Sequence, residues 1–70
     1  MKTGDRITVT AHGKTLPGSV VLASSNEMSL YIEFDGSFPF HIGAAPLLKG
    51  RDGVYRSIVD DTEMTVRPLA

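Results

Sequence analysis

His12 and His41 are the only histidines of this chain, and it has no cysteine, so a histidine-assisted nucleophile would rest on one of these two rings. Such chemistry pairs a histidine with a hydroxyl nucleophile and orients it with an acid. Both histidines fall in stretches read as turns, far apart in sequence, and are taken as solvated loop residues. An enzyme would require His41 to converge with Asp or Ser side chains from separate strands, so no catalytic residue is assigned. A metal centre would need Asp or Glu to complete its ligand set, and neither a metal nor another cofactor is expected. Asp60-Asp61-Thr62-Glu63 could hold a cation weakly or receive a basic partner. It lacks the spaced oxygens and central glycine of a calcium loop, and its default reading is a solvated turn. Glu33 and Asp35 flank a strand end, but nothing around them prepares either for general acid–base work.

Two groups of residues point to binding instead. Tyr31, Phe38, Phe40 and His41 cluster in sequence around Pro39. Phe38 and Phe40 share parity; they either cap an open barrel end or, exposed beside Tyr31 and His41, form an apolar patch for a protein or peptide partner. Lys49, Arg51, Tyr55 and Arg56 belong to one hairpin. They could make a basic and aromatic platform for single-stranded bases, or serve as edge charges that discourage aggregation. A net charge of −1 argues against a nucleic-acid partner, because phosphate neutralisation supplies much of such affinity.

These residues are positioned by strands. Ile7, Val9 and Ala11 alternate with Arg6, Thr8 and Thr10 between Asp5 and Ala11, the period of a half-buried strand. His12-Gly13-Lys14 reads as a turn and Pro17-Gly18 as a second break. Ser19 to Ser24 is a strand whose run Val20-Val21-Leu22 calls for cover on both faces or for a bulge. Ser24 to Glu27 turns, and Met28, Leu30, Ile32 and Phe34 then face one side of a strand whose other side holds Ser29, Tyr31 and Glu33. Asp35-Gly36 is expected to end it. Ser37 to Gly43 reads as an irregular loop or short edge strand. Ala44 to Leu48 reads as a strand, joined through Asp52-Gly53 to a returning strand over Val54 to Val59. Asp60 to Thr62 turns, and Glu63 to Arg67 places Met64 and Val66 inward before Pro68.

No stretch has helical spacing, and five or six short strands in 70 residues indicate one small all-β barrel spanning residues 1–70. A chain of this size buries only about 60% of its unfolded surface. No apolar run reaches membrane-span length, and Met1 to Arg6 has no signal-peptide character. The absence of cysteine suits the cytoplasm.

Gly4-Asp5-Arg6-Ile7-Thr8-Val9, Pro17-Gly18-Ser19-Val20-Val21 and Leu30-Tyr31-Ile32-Glu33-Phe34-Asp35-Gly36 resemble the first three strands of SH3-like barrels of the Tudor and KOW type. Tudor domains that read methylated side chains often carry an aromatic pair before the second strand. Thr15-Leu16-Pro17 stands in that place, so the aromatic cage is not carried over. The second half, from Pro46 to Val66, is similar to small uncharacterised bacterial and phage-associated reading frames. The resemblance implies an SH3-like barrel of five to six antiparallel strands. Together with the missing catalytic groups, this gives the expectation of a non-enzymatic interaction module that binds protein or peptide, or itself. A nucleic-acid accessory barrel using the hairpin 49–56 is the alternative.

Overall fold

The alternation at Ile7, Val9 and Ala11 becomes the first strand, β1 (Arg6–Ala11), in the computed structural model, which describes residues 1–69. All three side chains are buried. The next strand, β2 (Lys14–Ala23), starts directly after a two-residue turn. His12 (φ 51°) and Gly13 (φ 72°) are both left-handed there, as the tightest hairpin turn requires.

Pro17-Gly18 does not break the chain; β2 runs through it. Pro17 pairs with Thr8 of β1, whereas pairing with the third strand begins only at Gly18. The missing N–H therefore sits where β2 has a single neighbour, a place that tolerates proline. Gly18 is fixed by contact: a Cβ there would lie 2.1 Å from the Glu33 carbonyl oxygen. Of the two readings of the run Val20-Val21-Leu22, the bulge is the one present, between Val20 and Leu22. It turns Val20 inward and leaves Leu22 65% exposed.

The third strand, β3 (Ser29–Phe38), buries Leu30, Ile32 and Phe34 as their spacing predicts. Complete burial of a Leu or Ile stabilises by about 1.5–3 kcal/mol, so this strand anchors the core. Met28 lies before the strand and stays partly exposed. Asp35-Gly36 does not end β3. The register shifts between Glu33 and Ser37 and the strand resumes to Phe38. The stretch Ser37 to Gly43, expected to be an irregular loop or a short edge strand, is instead a hairpin into the fourth strand, β4 (His41–Lys49). Phe34 and Phe38 meet edge to face inside it, ring centres 5.0 Å apart.

Asp52-Gly53 does turn the chain, within a five-residue loop closed by Gly50 N–H donating to the Val54 carbonyl at 2.9 Å. The returning strand is short, β5 (Tyr55–Ser57), because residues 58–60 turn away. The last strand is β6 (Thr65–Pro68), preceded by the fully buried Met64. The six strands form one antiparallel sheet in the order β5-β4-β3-β2-β1-β6. The sheet curls until its ends approach. Ser57 N–H donates to the Thr62 carbonyl at 2.9 Å and Met64 N–H to the Tyr55 carbonyl at 3.0 Å, so the segment leading into β6 meets β5. The fold is a small all-β barrel, and no helix among the described residues is long and apolar enough to cross a membrane.

Candidate functional site

β4 has no charged residue between His41 and Leu48, and it is apolar on both faces. Ala45 and Leu47 point into the core, with His41, while Ile42, Ala44, Pro46 and Leu48 point out. Phe40 extends this outer strip at its start. Phe38 and His41 are paired, leaving Pro39-Phe40 as a two-residue turn. Proline at the first place and a positive φ, 66° at Phe40, at the second form a type II pattern in which glycine usually holds the second place. A bulky side chain there costs on the order of 1 kcal/mol. Phe40 nevertheless stands 88% exposed, and Ile42 equally so.

A second apolar row crosses this strip. Leu22 is paired with Tyr31, Tyr31 with Pro46, and Ile58 N–H donates to the Pro46 carbonyl at 3.0 Å. Leu22, Tyr31 and Ile58 are all exposed. Beyond Pro46, the side chains of Leu48, Ile58 and Val59 line an open groove of about 480 Å³ that also receives Asp60 and Asp61. Exposed apolar side chains scattered singly need no explanation; a connected set spanning three strands and a turn does.

Of the partner-binding residues expected from sequence, the structure leaves Tyr31 and Phe40 on this surface and withdraws Phe38 and His41, which are 3% exposed. The reason is the hairpin: its two-residue turn points the paired Phe38 and His41 inward and Phe40 outward. Parity did not place Phe38 and Phe40 on one face, because the turn intervenes. Leu22, Ile42, Pro46, Leu48 and Ile58 were missed. Their signal was in the sequence, as the unbroken apolar run of β4 and the triplet Val20-Val21-Leu22, each too apolar for a strand with one wet face.

His41 is not a solvated loop histidine. Its Nδ1 lies 3.1 Å from the Pro39 carbonyl and its Nε2 2.7 Å from Ser57 Oγ. A carbonyl only accepts, so Nδ1 donates to it, while Nε2 and the serine hydroxyl share one hydrogen bond. Ser57 Oγ in turn accepts from Val59 N–H at 3.1 Å. Asp60 Oδ1 lies 3.5 Å from the same Nε2. Burial would raise the Asp60 carboxyl, but hydrogen bonds from Thr62, the nearby imidazole and Ser57 together hold it below its ordinary value. The convergence an enzyme would need thus exists in distance, yet its geometry is that of a latch. The carboxylate sits at the nitrogen facing the serine and not behind the ring, and Ser57 is 2% exposed.

The basic hairpin is also arranged differently from a stacking platform. Tyr55 is buried, its hydroxyl donates to the Glu27 carbonyl, and burial raises its pKa. Lys49 lies 5.6 Å from the centre of that ring. Arg56 donates to both carboxylate oxygens of Asp52, at 3.2 and 2.8 Å, and to Glu63 at 3.2 Å. Arg51 alone of the four is exposed without a recorded ion pair among the described residues.

No protein-family model, curated protein or solved structure matches the chain.

Proposed function

We propose that this barrel is a non-enzymatic interaction module whose contact surface is the outer strip Phe40, Ile42, Pro46 and Leu48 with the crossing residues Leu22, Tyr31 and Ile58. One observation carries the reading. Phe40 holds an unfavourable left-handed backbone while exposing an aromatic ring to water. Backbone strain kept at a bulky aromatic without any packing return supports a contact role for that residue. The strand pattern resembling SH3-like barrels is compatible with this role, since a small barrel can host many unrelated functions. The nucleic-acid reading has less support, because Tyr55 has no free face and Arg56 is neutralised by its carboxylate partners.

The test compares the wild-type chain with Phe40→Gly and Ile58→Asp. Sedimentation across a concentration series measures self-association, and affinity capture followed by a direct binding titration measures partners. The proposal expects one of the two activities in the wild type and its loss in both variants. A wild type that stays monomeric, with captured proteins unchanged by either substitution, defeats it.

A further inference from the structure

Resting on that contact surface, we infer that its occupant is a second copy of this chain, set antiparallel so that Phe40 of each copy seats in the groove beside Leu48 and Ile58 of the other. The outer strip of β4 has a knob at one end and a groove at the other. Phe40 and Ile42, each 88% exposed, stand at its start. Its far end borders the open groove of about 480 Å³ lined by Leu48, Ile58 and Val59. A cavity of about 150 Å³ already accepts a benzene ring. Lys49 and Arg56 line this groove as well as Asp60 and Asp61, so the charges around an entering ring balance.

The spacing of the strip is its own complement. Ala44 lies midway between Phe40 and Leu48, and midway between Ile42 and Pro46. A two-fold axis at Ala44 therefore sets Phe40 opposite Leu48 and Ile42 opposite Pro46, each contact made twice. At the axis a small uncharged side chain meets itself. Glu33, paired with Ala44, shares its surface with Arg6, so the flank beside the axis holds both signs. The strip, its crossing row and Val59 expose roughly 800 Å² of side chain, the area each partner gives to a stable interface. A net charge of −1 puts little repulsion between copies. A strip with no charged side chain offers little to select one foreign partner from another, and interfaces between identical chains are the more apolar ones. Joining through a strand edge is blocked instead. β5 already meets the segment leading into β6, and Pro68 of β6 has no N–H to donate.

Sedimentation equilibrium over a concentration series up to about 1 mM tests this, and a monomer–dimer equilibrium is expected of the wild type. Phe40→Gly and Ile58→Asp should each weaken the dimer about thirtyfold, the scale of an anchor residue. Both substitutions fall on exposed side chains, and circular dichroism checks that each variant keeps the fold. Mixed in equal amounts, the two variants should associate about fivefold more tightly than either alone, because the mixed pair regains one Phe40 in one intact groove. A wild type that stays monomeric overturns the inference; if it then binds a different protein through Phe40 and Ile58, the contact surface stands with another occupant. A dimer unaffected by either substitution overturns both. Two weakened variants whose mixture gains nothing overturn the seating of Phe40 in the opposite groove.

Discussion

Phe38 and His41 face each other across the end of the β3–β4 hairpin, and both side chains enter the barrel. The same hairpin sends Phe40 and Ile42 outward. The segment that closes one end of the core therefore also supplies the head of the contact surface. Plug and surface are opposite faces of one turn, and residues at either face can be altered separately.

Phe40→Gly should raise stability. It removes an exposed ring and relieves a left-handed residue, a gain of about 1 kcal/mol. Thermal unfolding followed by circular dichroism measures it. Stabilisation accompanied by lost binding is expected, the trade found where strain serves function. A lowered melting temperature would show that the ring packs on the fold.

Ser57→Ala should destabilise by about 1–3 kcal/mol, because it strands the buried His41 Nε2 and the Val59 N–H that now share the hydroxyl. Urea unfolding gives the value. An unchanged midpoint would show that the pair contributes nothing as a latch.

Gly18→Ala is predicted to cost about 3 kcal/mol, the scale of overpacking. A Cβ 2.1 Å from the Glu33 carbonyl oxygen cannot be accommodated without parting β2 from β3. Amide exchange should quicken at Ser19, Val20 and Ile32 before it does elsewhere.

Much of this architecture was legible in local pattern. The inward sets Ile7, Val9, Ala11 and Leu30, Ile32, Phe34 follow from period two alone. The Asp52-Gly53 turn and the bulge at Val20-Val21-Leu22 follow from turn chemistry and excess apolarity. Glycine and proline misled where tertiary pairing decides. Pro17-Gly18 and Asp35-Gly36 read as breaks, yet both lie within strands, the first where β2 has one neighbour and the second in a bulge packed on Leu16. His41 misled for the same reason. Its meeting with Ser57 depends on β4 and β5 being neighbours, which no local spacing encodes.

Acid should loosen the β4–β5 hairpin. Hydrogen bonds from Arg56 and from Val54 N–H lower the Asp52 carboxyl from 3.8 to about 2. A carboxyl depressed in the folded state stabilises above its unfolded value and loses that contribution as pH falls through the folded one. The melting temperature of the wild type should therefore decline between about pH 4 and pH 2 more steeply than that of Asp52→Asn. Parallel curves would mean that the Arg56 contact is spent in solvent.

The two-faced apolarity of β4 also bears on how the chain recognises its own alignment. A strand with one wet face is self-correcting, since a slip of one residue exposes its core set. β4 has little of that protection: slipped by one, it would offer Ile42, Pro46 and Leu48 to the interior in place of Ala45 and Leu47. What distinguishes the true alignment is polar, the reach of His41 to Ser57 and to the Pro39 carbonyl. That pair acts as a key in an otherwise ambiguous lock, the best-attested use of a buried polar group. Removing it should blur identity as well as strength, seen as a second set of β4 amide resonances in Ser57→Ala.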